Sequence, residues 1–377
     1  MVTESIRAIY TTNLGVKQGE RVLVFTDRAL ANEVLDAKDH DRRENLRDIA
    51  FLTAEVGKSF TKKVVFHIYP STLSHGAEPP EELWRLVFGE RAINTLKKEG
   101  LLTLLLTKNI SDREMRQVEA IVKKQKSLSV RAVIALANYS TSHTRFRDFL
   151  TRVCGARYAS MPLFDVSMFE SSMDIDWKAL AKRTKAIAKT VNHAEAIEVK
   201  TPNGTHFSLS KKGRKALADT GILTRPGSFG NLPAGEVFLA PLEGSTSGQL
   251  VLQWSPVREL GSPLTVTVRD GRVVKIEGRE PYADVLGAKF AERGENANIA
   301  ELGIGTNEKA KRPDNILESE KILGTIHVAF GDNSSFGGSV KTAFHQDFVF
   351  FRPTIVLIDK GGVRTTLMKD GKFANSS

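Results

Sequence analysis

The stretch ERVLVFTDRALANEVLDAKDHDRRENLRDIAFLTAEVG, residues 20–57, decides the class of the N-terminal fold together with KKVVFHIYP at 62–70. A short apolar run is followed by a helical pattern and then by a second apolar run. Two more apolar runs, LLTLLLTKN at 101–109 and VRAVIALAN at 130–138, also follow helical patterns. This alternation is typical of a parallel sheet covered by helices. The sequence therefore predicts an α/β N-terminal domain with a mainly parallel sheet, with residues 101–109 as one of its strands.

From about residue 195 the pattern changes to short alternating runs joined by glycine turns. The segments EAIEVKTPNGTHFSLS at 195–210 and PLTVTVRDGRVVKIEG at 263–278 place Asn-Gly and Asp-Gly between such runs, which predicts β-hairpins. One clear helical pattern, YADVLGAKFAERGENA at 282–297, interrupts them. We therefore expect an N-terminal domain over residues 1–192 and a mixed α+β metal-binding domain over residues 193–377.

Composition indicates a cytoplasmic globular protein. The 377 residues exceed what one ordinary core holds, and the hydrophobic fraction of 41% is that of a globular chain. Cys154 is the only cysteine, so no intrachain disulfide can form. No apolar run is long enough to cross a bilayer. The net charge of +10 comes from basic residues scattered at helical spacing, which favours solvated helix faces over a nucleic-acid surface.

The second half also places acidic and histidine residues within or beside strand-like segments. They are Glu236 in NLPAGEVFLAP, Glu301 in IAELGIGTN, His327 in TIHVAF, and His345 with Asp347 in FHQDF. Burying such groups is costly unless they are paired or bound to a cation. Residues two apart in a strand share a face, so His345 and Asp347 project side by side. The set suits one or two divalent ions, although the spacing alone leaves a core histidine and surface acids as the alternative.

Four ordered motifs, NLPAGEVFLAP, ELGIGTN, EKILGTIHVAFGDN and HQD, resemble the M29 (thermophilic aminopeptidase-type) metallopeptidases and their shorter leucyl aminopeptidase-like relatives. Upstream, STSHTRFRDFLTRVCGARYASMP is similar to a stretch of the same group, and the likeness extends over roughly residues 130–360. The resemblance implies an α/β domain followed by a catalytic domain with a two-metal centre. By motif, the implied metal ligands are Glu236, Glu301, His327, His345 and Asp347, and Glu320 is the nearest candidate for the general base.

On this resemblance we expect a metallo-aminopeptidase that removes N-terminal residues from peptides. Two divalent ions, of zinc, cobalt, manganese or magnesium, would activate the attacking water. The expected partners are peptide substrates and a second copy of the chain in a homodimer, with no nucleic acid and no membrane.

One departure from the motif brings forward a second resemblance. The aminopeptidases carry a tyrosine soon after the first histidine, whereas this chain has GDNSSFGGS there. The chain is also similar to the 2,5-dihydroxypyridine dioxygenase type of the same superfamily. That likeness implies a single Fe²⁺ held by His327, His345 and Asp347, which opens an aromatic ring with O₂. A metal-binding protein without catalysis is the further alternative.

Overall fold

The structure, a computed structural model, describes residues 2–374. The chain divides into two compact units. The first comprises the residues up to Asp174 together with Gly221–Pro233, and the second comprises Ile175–Thr220 and the residues from Ala234 onward. Among residues 2–374, no helix combines the length and the hydrophobicity that crossing a membrane requires.

The helical elements include ten α-helices along the described chain. They are α1 Val2–Ala8, α2 Ala37–Gly57, α3 Glu81–Phe88, α4 Glu90–Lys98, α5 Leu101–Leu106, α6 Asp112–Lys124, α7 Arg145–Asp148, α8 Trp177–Asn192, α9 Tyr282–Glu292 and α10 Ile316–Ser319. Short π-helical segments occur at Ile9–Asn13 and Phe149–Val153, and 3₁₀ turns at Lys126–Leu128, Val166–Glu170 and Gly294–Ala297.

The strands form three sheets. They are β1 Val22–Arg28, β2 Val64–Pro70, β3 Ala132–Ala135, β4 Arg157–Ser160, β5 Ala194–Lys200, β6 His206–Ser210, β7 Leu217–Asp219, β8 Phe229–Asn231, β9 Glu236–Leu239, β10 Ser247–Trp254, β11 Glu259–Arg269, β12 Arg272–Glu277, β13 Ile299–Gly305, β14 Thr325–Gly331, β15 His345–Phe351, β16 Thr354–Asp359, β17 Arg364–Lys369 and β18 Lys372–Phe373.

The first unit contains a five-stranded sheet of order β2-β1-β3-β4-β8, in which every pair is parallel. Strand β3 is apolar throughout and β1 begins with four buried apolar residues, as a sheet covered on both faces requires. The predicted α/β fold of this region is therefore confirmed.

The expectation of a strand at residues 101–109 is wrong, because Leu101–Leu106 is a helix. Gly100 precedes it in the left-handed conformation, with φ of 70°, which allows the chain to leave α4 and turn directly into α5. Leu101, Leu102 and Leu105 are buried while the residues between them are less so. That spacing is helical, and a six-residue apolar run is too short for its period to be recognised.

The second unit contains two antiparallel sheets, of order β12-β11-β10-β6-β5-β16-β17-β18 and β15-β14-β13-β9-β7. One continuous hydrophobic core takes side chains from both sheets and from α8 and α9. The predicted hairpins are present as β5–β6 and β11–β12, both antiparallel. The mixed α+β class expected for this half is confirmed.

The two units divide N-terminal to the boundary expected at residues 192–193. Helix α8 belongs to the second unit because it packs against β7, β9 and β5. Asp176 caps this helix by accepting hydrogen bonds from the amides of Lys178 and Ala179 at 2.9 and 3.1 Å. The segment Gly221–Pro233 then returns to the first unit and adds β8 to the parallel sheet.

Candidate metal centre

Four neighbouring strands of the five-stranded antiparallel sheet of the second unit carry the five residues expected to bind metal. Glu236 begins β9, Glu301 lies in β13, His327 lies in β14, and His345 and Asp347 lie in β15. The register places Glu236 opposite β13, His327 opposite both β13 and β15, and Asp347 opposite β14. The structure therefore brings all five side chains to one region of one sheet face.

Small residues alternate with the donors on this face and make room for them. Gly303 and Gly305 follow Glu301 at two-residue spacing in β13, and Ala329 and Gly331 follow the β14 histidine in the same way. Gly303 pairs with His327 across the strands, and a Cβ atom there would lie 1.9 Å from the imidazole ring. Only glycine at position 303 therefore leaves space for the imidazole in this position.

The opposite face of the same sheet is apolar and belongs to the hydrophobic core. Its buried residues are Val237, Leu239, Leu302, Ile304, Ile326, Val328, Phe330, Phe348 and Phe350. Along each strand, a donor or a small residue therefore alternates with a large apolar residue, which is the two-residue period of a β-strand. Packing of the apolar face fixes which way every donor points.

The donor atoms form two compact groups that share Glu301. In the first group, Nε2 of His327 lies 3.3 Å from Oε2 of Glu236 and 3.3 Å from Oε1 of Glu301. In the second group, Nε2 of His345 lies 3.5 Å from Oε2 of Glu301 and 3.5 Å from Oδ2 of Asp347. Glu301 thus faces both imidazoles. The set of two histidines and one aspartate expected for the dioxygenase type does not include this glutamate.

Three buried polar atoms at this site make no hydrogen bond: Oε2 of Glu236, Nδ1 of His327 and Oδ1 of Asp347. Buried polar atoms are normally paired. A bound cation would satisfy the two carboxylate oxygens that accept no hydrogen bond here. His345 is oriented differently, because its Nδ1 donates to the carbonyl oxygen of Asp332 at 2.7 Å. A carbonyl can only accept, so Nε2 of His345 is left free to bind a cation.

Protons on the imidazoles balance the carboxylates of this cluster. Burial alone would lower the pKa of His327, but Glu301, Glu236 and Asp347 raise that pKa to about 9. Burial likewise opposes the charge on His345, whose pKa its carboxylate neighbours raise to about 10. Burial raises the pKa of Glu301. For Asp347, the two imidazoles and Lys321 outweigh burial and hold the pKa well below its usual range. The cluster therefore requires positive charge, which a divalent ion would supply.

Lys321 is a buried cation beside this cluster that sequence reasoning missed. Its side chain is fully buried, and Nζ donates to Oε1 of Glu236 at 2.9 Å and to Oε2 of Glu320. Burial raises the pKa of Glu320 to about 8, although the lysine opposes that shift. The role of Glu320 as a general base stays a prediction. In EKIL, the lysine has the pattern of an ordinary surface residue, so no local signal identifies it.

An aromatic side chain borders the site where the aminopeptidase motif has its tyrosine. Phe336 lies in the segment between β14 and β15, with its ring centroid 6.0 Å from that of His345 and 5.7 Å from that of Phe238. Glu243 holds this segment by accepting hydrogen bonds from the amide of Ser339 at 2.7 Å and from Nδ2 of Asn333 at 3.1 Å. The residues beside His345 therefore include an apolar, aromatic wall.

The sequence of this protein is similar to that of a known enzyme family. The family model NicX, 2,5-dihydroxypyridine 5,6-dioxygenase, matches residues 173–374, just over half of the chain. A curated 2,5-dihydroxypyridine 5,6-dioxygenase of Pseudomonas putida strain KT2440 is 24% identical over 199 residues, which are 48% of this chain and 56% of that protein. The match thus spans just over half the length of the curated relative, and the residues that match the family model include all the metal-ligand candidates.

Two solved structures share the fold along nearly the whole chain. The 2,5-dihydroxypyridine dioxygenase of Pseudomonas putida KT2440 has a TM-score of 0.68 at 17% identity, covering 100% of this chain and 97% of that one. Wild-type AmpT from Thermus thermophilus has a TM-score of 0.57 at 14% identity, covering 99% and 98%. At these identities the likeness establishes the fold alone.

These matches correct the expected activity. AmpT, an M29 aminopeptidase, confirms that the fold is related to that group. The expectation of a metallo-aminopeptidase, a hydrolase acting on peptides, is nevertheless wrong, because both the family model and the curated relative are dioxygenases. By resemblance, His327, His345 and Asp347 are implied as metal ligands for both groups, and the missing tyrosine is the departure in the sequence that favours the dioxygenase type. The chain belongs to the 2,5-dihydroxypyridine 5,6-dioxygenase (NicX) family.

Proposed function

We propose that this protein is a metal-dependent dioxygenase that opens the ring of a hydroxylated pyridine or a similar planar hydroxylated aromatic compound. The observation that carries the proposal is the convergence of His327, His345 and Asp347 around Glu301 within the region that matches the dioxygenase family. Family membership alone would leave the activity open, because one fold supports several chemistries.

The donor set suits a single Fe²⁺ ion. Two imidazoles and a carboxylate are typical of Fe²⁺ oxygenases, and Glu301 lies within reach of both imidazole nitrogens. The ion would supply coordination positions at which O₂ and the substrate are brought together. The carbonyl of Asp332 fixes the ring of His345 so that Nε2 faces the carboxylates.

The surrounding residues suit a flat, apolar ring with polar substituents. Phe336 lies beside His345 and Phe238 packs against Phe336, and an aromatic contact of this kind contributes about 0.5–1.5 kcal/mol. Glu320, whose pKa burial raises to about 8, can hold a proton at neutral pH. We propose that it exchanges this proton with a hydroxyl group of the substrate.

The test is O₂ uptake by the protein loaded anaerobically with Fe²⁺ and then mixed with 2,5-dihydroxypyridine in aerated buffer. We expect one O₂ to be consumed for each ring that is opened. An oxygen electrode measures the O₂, and the ultraviolet absorbance of the substrate measures the loss of the ring. His345→Ala should lower the rate by at least about 100-fold, since it removes a ligand rather than a supporting contact.

Gln346→Ala is the matched control, because Gln346 neighbours His345 in sequence but lies on the other face of β15 and bonds to the hydroxyl of Tyr282. This variant should keep its activity. Bound Fe²⁺ without O₂ uptake on hydroxylated pyridines or catechols would contradict the proposal and support the alternative of a non-catalytic metal-binding protein.

A further inference from the structure

Lys321 is held in place by the backbone on both sides of it. Its amide donates to the carbonyl of Glu318 at 3.0 Å, and its own carbonyl accepts from the amide of Asn307 at 2.9 Å. Gly305 lies directly against the next peptide, because a Cβ atom at position 305 would meet the carbonyl oxygen of Ile322 at 2.0 Å. These contacts leave the side chain directed at Glu236, where Nζ is 2.9 Å from Oε1.

A second buried lysine of the same unit shows what is unusual about Lys321. Nζ of Lys211 donates to the carbonyl oxygen of Ala194 at 2.9 Å, and burial lowers its pKa. Nζ of Lys321 instead donates to side-chain oxygens, Oε1 of Glu236 at 2.9 Å and Oε2 of Glu320. Lys321 is therefore the ion-pair partner of the Glu236 carboxylate, whereas the side chain of Lys211 is hydrogen-bonded to a backbone carbonyl.

Each of the two donor groups has three side chains of a type that binds metal, so the pair could hold two ions that share Glu301. The first group consists of Glu236, Glu301 and His327, and the second consists of Glu301, His345 and Asp347. One oxygen of Glu236 already binds the ammonium of Lys321. A divalent ion on the other oxygen of Glu236 would lie close to that ammonium in a buried environment, where like charges repel strongly.

We propose that Lys321 is an internal cation that takes the place of a second metal ion, so that the centre holds one ion per chain. The inference rests on the proposed metal centre and deepens it by assigning the residue that sets the metal count. Glu236 is then a partner of Lys321 rather than a metal ligand. The single ion is bound by His345, Asp347 and Glu301 together with His327, whose Nε2 lies 3.3 Å from Oε1 of Glu301 and 4.0 Å from Oδ1 of Asp347.

The test counts bound Co²⁺, added alone, by equilibrium dialysis and elemental analysis. We expect one equivalent per chain in the wild type and two in Lys321→Met, since the variant frees Glu236 and removes the opposing charge. Lys211→Met, a substitution of the other buried lysine, should still bind one equivalent. Two equivalents in the wild type, or one in a cooperatively folded Lys321→Met, would overturn the proposal.

A second variant keeps the test decisive if Lys321→Met does not fold. Glu236→Gln keeps a hydrogen-bond acceptor for the lysine but removes the carboxylate, so it should retain one Co²⁺ with an unchanged visible spectrum. Loss of the ion or an altered spectrum would show that Glu236 coordinates it, and the inference would fail. These measurements use neither O₂ nor an aromatic substrate, so a protein that binds one ion but lacks dioxygenase activity would refute the proposed function and leave this inference intact.

Discussion

The two units bury carboxylates in different ways. In the first unit, Asp27 accepts hydrogen bonds from the amides of Asn138 and Tyr139 at 2.5 and 3.3 Å. Glu78 accepts from the amides of Arg145 and Phe146 at 2.6 and 3.1 Å, at the start of α7. Burial raises the pKa of both groups, and the backbone donors oppose it. Each of these four carboxylate oxygens has a fixed donor.

In the second unit, the buried carboxylates of Glu236, Glu301 and Asp347 lie against imidazoles and one lysine. Oε2 of Glu236 and Oδ1 of Asp347 accept no hydrogen bond. A structural carboxylate in this protein meets backbone amides, whereas a candidate ligand faces other ionisable side chains and leaves oxygen atoms without a hydrogen bond. Burial and a raised pKa are common to both kinds and do not distinguish them.

The largest effect that would test this difference is expected from Glu301→Gln. Glu301 belongs to both donor groups, so its loss should weaken Co²⁺ binding by at least about 100-fold, measured by equilibrium dialysis. Glu78→Gln should leave Co²⁺ binding unchanged and instead lower the free energy of unfolding by about 1–3 kcal/mol, because one backbone amide loses its acceptor. Equal Co²⁺ affinities in the two variants would contradict the assignment of Glu301 as a metal ligand and of Glu78 as a structural carboxylate.

A smaller effect is expected from the glycine that accommodates the imidazole. Gly303→Ala places a methyl group against the ring of His327, so we expect weakened Co²⁺ binding and a loss of about 1–3 kcal/mol from overpacking. Gly287 lies exposed in α9 with nothing near its missing Cβ, and Gly287→Ala should stabilise the protein by about 0.5–1 kcal/mol. Metal titration and thermal unfolding separate the two, and an unaffected metal affinity in Gly303→Ala would show that the ring does not need this space.

The smallest effect concerns pH and appears only without metal. The pKa values of about 9 for His327 and about 10 for His345 lie above the unfolded value near 6.5. Their protonation therefore stabilises the metal-free fold fully below about pH 6.5, and this stabilisation is lost as the pH rises through about 9 to 10. The melting temperature in EDTA should fall by several degrees over that window. The Co²⁺-loaded protein should change less, since its imidazoles are already deprotonated. A metal-free protein equally stable at both ends of the window would contradict the assignment.

Much of the fold follows from local patterns in the sequence. The Asn-Gly and Asp-Gly turns fix two hairpins, and the buried runs at β1, β2 and β3 predict the parallel sheet. The apolar run at 101–106 could not be assigned correctly, because its helical packing depends on neighbouring helices. The return of Gly221–Pro233 to the first unit is a tertiary pairing with no local signal.

The candidate site was predictable residue by residue but not as an arrangement. Each of the five donors stands in a strand with alternating apolar neighbours, a pattern visible in the sequence. Their convergence depends on the order β15-β14-β13-β9, which joins strands far apart in the chain. Lys321 could not be found, because its burial depends on the packing of residues 321–322 against Gly305. The activity was predicted wrongly because the motifs of this chain resemble both groups.

The placement of the donors on four adjacent strands also has a consequence for folding. A slip of β13 or β14 by one residue would turn Glu301 or His327 into the hydrophobic core and bring an apolar side chain to the donor face. An ion bridging these strands is therefore compatible with one register only. Metal binding should act as a proofreading step for strand alignment, since a mispaired sheet cannot retain the ion and gains none of its binding free energy.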